Sequence, residues 1–151
     1  FEQLFFYYKL NLVNTTQTQW HGSKICKKKF LKSPNWLREY KIKQYPWWRF
    51  DKPENVKIIK NGGWHFNNLK TAEELYTKLI NQGHHNEFDV SKISVNELQK
   101  RIDNRLAFYN HKADKTASDK YSFEYKLKKI SDENLPEYLI ENKEKYSKWF
   151  D

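Results

Sequence analysis

The chain opens on Leu4-Phe5-Phe6-Tyr7-Tyr8-Lys9-Leu10-Asn11-Leu12, a run in which large apolar side chains follow one another with little alternation. A strand with one solvated face alternates apolar and polar residues, whereas a strand covered on both faces does not. Residues 2–12 therefore read as a strand buried on both sides, which requires layers of structure above and below it. A membrane span would need about 18 to 20 apolar residues, and Glu2 and Lys9 interrupt this shorter run. The basic front end and small-residue cleavage site of a signal peptide are also missing. The chain begins at Phe1 and contains no Met, so a processed or truncated form of a longer sequence is expected.

A length of 151 residues suits one domain, or one lobe of a larger one. Aromatic residues make up 17% and can build a core without Met, while charged residues make up 31% and require a well-solvated surface. The composition is that of a soluble globular piece. A lone Cys26 leaves no internal disulfide and no cysteine-cluster zinc site, and it reads as a half-buried packing residue. This permits a reducing compartment without establishing one.

The net charge of +9 is concentrated. Residues 21–50 hold nine Lys or Arg against one acid, Glu39, and the remainder is close to neutral. Such a block attracts phosphate-bearing partners, whether nucleotide diphosphates, nucleic acid or anionic lipid head groups. A lysine-rich face that serves only solubility is the plainer alternative.

Local signals place the other elements. Asn14-Thr15-Thr16 reads as a turn, and residues 23–30 as a second strand with Ile25 and Phe30 inward. Ser33-Pro34 starts a short helix to Tyr40 that sets Trp36 and Tyr40 on one side. Residues 45–53, with Trp47 and Trp48, read as an aromatic loop, and Val56 to Lys60 as a short strand broken by Asn61-Gly62-Gly63. Thr71 and Glu74 form a capping box ahead of Ala72, Leu75, Tyr76, Leu79 and Ile80. Ser94 and Glu97 form another, ahead of a stripe of Val95, Leu98, Ile102, Leu106 and Tyr109. Residues 110–121 read as a surface loop, and Phe123 to Leu127 as a last strand. Pro136 opens a terminal helix burying Tyr138, Leu139, Tyr146, Trp149 and Phe150. The sum is an α/β or α+β unit.

Chemistry concentrates in two places. In Gly62-Gly63-Trp64-His65-Phe66, two glycines let backbone approach a ligand, an indole can stack on a sugar or base, and an imidazole can bind metal or phosphate. A structural Trp-His pair is the alternative. In Gly83-His84-His85-Asn86-Glu87-Phe88, His85 and Glu87 would share a face if extended, while a polar loop after a helix is the plainer reading. Walker, dinucleotide and nucleophile-elbow motifs do not occur, which excludes common kinases, dehydrogenases and esterases.

Five segments, in order, resemble glycosyltransferase family 17, whose best-known members add the bisecting N-acetylglucosamine to the β-mannose of N-glycans. They are Phe5-Phe6-Tyr7-Tyr8-Lys9-Leu10-Asn11, Trp20-His21-Gly22-Ser23, Ser33-Pro34-Asn35-Trp36-Leu37-Arg38, Gly62-Gly63-Trp64-His65-Phe66 with Lys78-Leu79, and Leu135-Pro136-Glu137-Tyr138-Leu139. The family's acidic Asp-x-Asp-type segment is missing, and Arg105 stands near a position where relatives often have Gly. The resemblance implies that residues 1–151 are the carboxyl-terminal portion of one catalytic domain, half of a GT-A-like nucleotide-diphospho-sugar transferase fold with a mixed sheet and flanking helices. It implies inverting transfer, with N-acetylglucosamine the leading guess, from a UDP-sugar to a glycan hydroxyl with Mn or Mg. An isolated fragment would be inactive.

Roles carried over are His65 as metal or diphosphate ligand, Trp64 as sugar-stacking wall, and Gly62 and Gly63 as close-approach backbone. Trp20 and Arg38 become acceptor or diphosphate contacts, and Glu87 the general base. The expected compartment is cytoplasmic or membrane-peripheral for a microbial or viral source and the Golgi lumen for a eukaryotic one, with contact to anionic membrane compatible with the first. The competing reading is a single-stranded nucleic-acid-binding module built on the basic, aromatic block. It leaves the Gly-Gly-Trp-His segment unexplained.

Overall fold

The apolar opening run forms sheet, but as two strands instead of one. In the computed structural model, which describes residues 1–15, 20–40, 48, 56–81, 93–107 and 125–151, β1 spans Leu4–Tyr7 and β2 spans Leu12–Asn14. They pair antiparallel, with Phe6 opposite Val13. The chain reverses at Tyr8, whose φ of 60° takes it out of the extended region. A bulky residue in that region is strained by roughly 1–3 kcal/mol, and no Gly marks the turn in the sequence. Asn14, expected in a turn, is instead the buried last residue of β2.

β3, Trp64–Asn67, runs parallel to β1 and matches Leu4 with Trp64 through Tyr7 with Asn67. β4, Leu127–Lys129, lies antiparallel to β2. It starts where the expected strand ends, and residues 121–124 lie outside the described residues. The order is β3-β1-β2-β4, so the sheet is mixed and β1 is interior, as its two-sided apolar character requires.

Three helices are capped as their sequences require. α1, Pro34–Glu39, starts at Ser33, whose hydroxyl accepts from the Trp36 amide at 3.0 Å. Trp36 and Tyr40 meet edge to face at 5.8 Å. α2, Ala72–Ile80, has the complete capping box: Thr71 Oγ1 accepts from the Glu74 amide and the Glu74 carboxylate accepts from the Thr71 amide. α3, Val95–Asp103, makes half of one. Ser94 Oγ accepts from the Glu97 amide, while the Glu97 carboxylate turns to Arg101 one turn on, at 3.4 Å.

α2 and α3 cover one face of the sheet, where Leu75, Leu79 and Leu98 pack on Phe5, Tyr7 and Leu12. Phe6 and Val13 face the other way, under Leu135, Phe66 and Phe150. That second layer is the carboxyl-terminal segment with its short helix α4, Glu137–Glu141. It is clipped to the β1–β2 turn, where the Leu10 amide donates to the Trp149 carbonyl at 2.7 Å and the Asp151 amide to Asn11 Oδ1 at 2.9 Å.

Several expectations fail for tertiary reasons. Residues 23–30 form no strand: Ile25 is 75% and Phe30 60% exposed, and Lys28–Phe30 is a single 3-10 turn. Val56 to Lys60 is also exposed and not a strand, although the Glu2 amide donates to the Ile59 carbonyl at 2.9 Å. Neither segment gains a ladder partner, and apolar residues alone do not make a strand. Ile80 is exposed at the end of α2. α3 stops at Asp103, so Leu106 leaves its stripe and bridges to Lys126. Tyr109 and the loop at 110–121 lie outside the described residues.

The terminal helix breaks after Glu141, which leaves Tyr138 56% exposed while Trp149 and Phe150 are half-buried. Arg105 takes φ 55°, an angle that glycine adopts freely. Cys26 is half-buried and free. Among the described residues no helix is long and apolar enough to cross a membrane.

Candidate functional site

Where two parallel strands end side by side, their carboxyl ends open toward whatever the following loops supply. β1 and β3 end this way, and the residue after each, Tyr8 at φ 60° and Asn68 at φ 54°, is left-handed. The Tyr8 amide donates to the Asn67 carbonyl at 3.3 Å, which ties the two turns together. Asn tolerates such angles because its short side chain bonds locally, but Tyr has no such compensation.

Polar groups gather here. Lys78, on α2, donates from Nζ to Asn68 Oδ1 at 2.6 Å. Its ammonium is held below the usual lysine range, chiefly by partial burial and secondarily by the charge of Lys70. Tyr8 is 1% exposed, and its hydroxyl is buried without a hydrogen-bond partner among the described residues. Burial pushes its phenol well above the ordinary value of 10.0, while the charge of Arg101 pulls the other way. On α3, Arg101 uses Nε for Glu97 but has a buried Nη1 with no hydrogen-bond partner among the described residues.

A buried donor left unmade costs about 1–3 kcal/mol. Two such donors, Tyr8 and Arg101, near enough for the guanidinium charge to act on the phenol, suit a charged oxyanion. Of these residues, Tyr8 and Lys78 stand in segments that carry the family resemblance, and none has a role assigned from the sequence. Arg101 was detectable there, because it sits three residues from Leu98 on an otherwise apolar stripe.

Two register positions before the strand ends lies a cluster of three rings. Phe5 pairs with His65 across β1 and β3, which puts both side chains on the α2–α3 face. Trp20 joins them because the Gln3 amide donates to its carbonyl at 2.9 Å. The ring centroids are 5.2 Å apart for Phe5 and Trp20, 5.0 Å for Phe5 and His65, and 4.8 Å for Trp20 and His65, all stacked. His65 is half-buried, and burial lowers its imidazole below 6.5, so it is neutral at pH 7.

The other expected residues divide. Trp64 and His65 are successive strand residues and point to opposite faces. The Trp64 indole donates to the Asn134 carbonyl at 2.7 Å, on the side of the carboxyl-terminal layer. One small ligand on one face does not touch both rings. Gly63, at φ 138°, is required by its backbone angle. At Gly62 a Cβ would meet Phe1 Cβ at 2.7 Å, so the close approach there is to the chain's own aromatic ring.

Arg38 is exposed on α1, where its carbonyl accepts from Lys24 Nζ. Glu87, together with His84 and His85, lies outside the described residues, as do Trp47 and most of the aromatic loop at 45–53. His65 has no partners for a metal set, since among the described residues no three His, Cys, Asp or Glu side chains group together.

No family model matches the chain, and no curated protein or solved structure matches it.

Proposed function

We propose that this chain binds a nucleoside-diphospho-sugar and forms part of an inverting glycosyltransferase, with N-acetylglucosamine the leading donor sugar. One observation carries the reading: segments that resemble the transferase family, far apart in sequence, meet along the paired strands β1 and β3, with Tyr8 and Lys78 at their carboxyl ends and Trp20 and His65 nearer their amino ends. Tyr8, Trp20, His65 and Lys78 come from three of those segments.

In this reading Lys78 and Arg101 take the diphosphate oxygens, and Tyr8 donates its phenolic hydrogen to one of them. Stabilising charge on the leaving diphosphate is the main task such a site performs. The neutral imidazole of His65 is placed beside an indole, where it can hydrogen-bond a sugar or phosphate oxygen. Glu87 is the candidate that removes the acceptor's proton as the anomeric carbon is attacked from the opposite side. Trp64, on the other face, is left as an acceptor contact or a packing residue.

The test is binding of uridine diphosphate N-acetylglucosamine to the full chain, followed by saturation-transfer NMR. Lys78→Met and Arg101→Met are each expected to weaken it about tenfold or more, since a hydrogen bond to a charged group contributes about 1.5–3 kcal/mol. If no nucleoside-diphospho-sugar binds at millimolar concentration, the reading fails.

A further inference from the structure

The segment between Trp20 and α1 is unusual for what it leaves outside. Sequence periodicity assigns Ile25 and Phe30 to a core, yet both project into solvent, with Leu31 beside them. Neither apolar cluster of the fold includes any of the three. Around them stand Lys27, Lys28, Lys29 and Lys32, all exposed, and no acid occurs from residue 21 to 38. Lys29 Nζ lies 4.9 Å from the centre of the Phe30 ring, so cation and aromatic ring form one surface.

We propose that this segment docks on an anionic lipid bilayer, with Ile25, Phe30 and Leu31 entering the head-group boundary and the lysines holding the charged surface. Three features favour a bilayer over other polyanions. Branched aliphatic side chains such as Ile25 and Leu31 gain from acyl chains but do not stack on nucleic-acid bases. The backbone is prepared for an apolar setting: the Phe30 amide donates to the Lys27 carbonyl at 2.9 Å and the Leu31 amide to the Lys28 carbonyl at 3.1 Å. Their side chains can therefore enter without carrying unbonded N–H groups with them. Finally, lysines flanking an apolar tip combine the two weak signals that surface binding needs.

The experiment is co-sedimentation of the full chain with vesicles of phosphatidylcholine alone, and with about 30 mol% phosphatidylserine added, across a salt series. Binding is expected only with the anionic lipid, and falling with salt. Lys28→Ala should lower partitioning about fivefold. The pair Ile25→Ser and Phe30→Ser should lower it at least tenfold with charge unchanged. All three positions are exposed, so the fold is kept, as circular dichroism will check.

The proposal is overturned by no binding or by equal binding to neutral vesicles. It is also overturned if the Ser variants bind as well as the parent while a single-stranded oligonucleotide competes fully, because the surface would then be a general polyanion site. Only lipid binding is read, so the result is independent of donor binding.

Discussion

Replacing Tyr8 by Phe removes one oxygen and leaves the ring where it packs, between the ends of β1 and α3. The hydroxyl is buried and finds no hydrogen-bond partner among the described residues. Placing it there costs about 1–3 kcal/mol in proteins generally. Tyr8→Phe should therefore stabilise the free protein by about 1 kcal/mol, raising the thermal midpoint by about 2–4 °C for a chain of this size. The same change should weaken donor binding about tenfold or more, because the lost hydrogen bond is to a charged diphosphate oxygen, worth about 1.5–3 kcal/mol. Urea unfolding with an unchanged slope, together with calorimetric titration of donor, reads both effects.

The phenol also fixes a pH dependence. Its folded pKa lies above the unfolded value of 10.0, so above that value the unfolded state binds fewer protons. Stability is full below about pH 10 and is lost as pH rises beyond it. Tyr8→Phe should flatten that loss. A variant that is less stable by 1 kcal/mol or more would show that the hydroxyl is satisfied in the native state, and would refute the idea of donors waiting for a ligand.

Other outcomes follow from the same geometry. Gly63→Ala forces a side chain into φ 138° and should cost about 1–3 kcal/mol, read by urea unfolding, whereas Ala at an ordinary exposed site would be neutral. Thr71→Ala removes the accepting half of a complete capping box and should cost about 1 kcal/mol, with early loss of amide protection in α2. His65 has its imidazole lowered below 6.5 by burial, so its contribution is full above pH 6.5 and is lost as pH falls below it. His65→Phe, which keeps the stack on Phe5 and Trp20, should reduce the acid sensitivity seen in unfolding between pH 7 and 5.

Much of the fold was legible in single stretches of chain, because the forces that set it act within one turn of helix. The caps at Ser33, Thr71 and Ser94 are bonds spanning three residues, and each formed as written. The half-made box at Glu97 shows the limit: Arg101, four residues on, competed for the carboxylate. The Gly-Gly break was legible for the same local reason, whereas the strand expected before it at residues 56–60 did not form and the strand after it, Trp64–Asn67, needed β1 as its partner. Of the residues gathered at these strands, the sequence marked His65 and Trp20 as ligand contacts, whereas Tyr8, Asn68, Lys78 and Arg101 carried no role there, since their meaning is positional.

What the sequence alone determined was that residues 4–12 must be covered on both faces, that α2 and α3 must present apolar stripes, and that Gly63 must stand where it does. These are properties of side-chain volume, period and backbone angle, and they need no partner to be read. Only the tertiary structure decided that the opening run folds back at Tyr8, that Phe5 lies opposite His65, and that Trp64 and His65 part to opposite faces. It also decided that Ile25 and Phe30 stay outside. Strand register and burial depend on segments some sixty positions away, and a residue's own neighbours carry no record of what will pack against it.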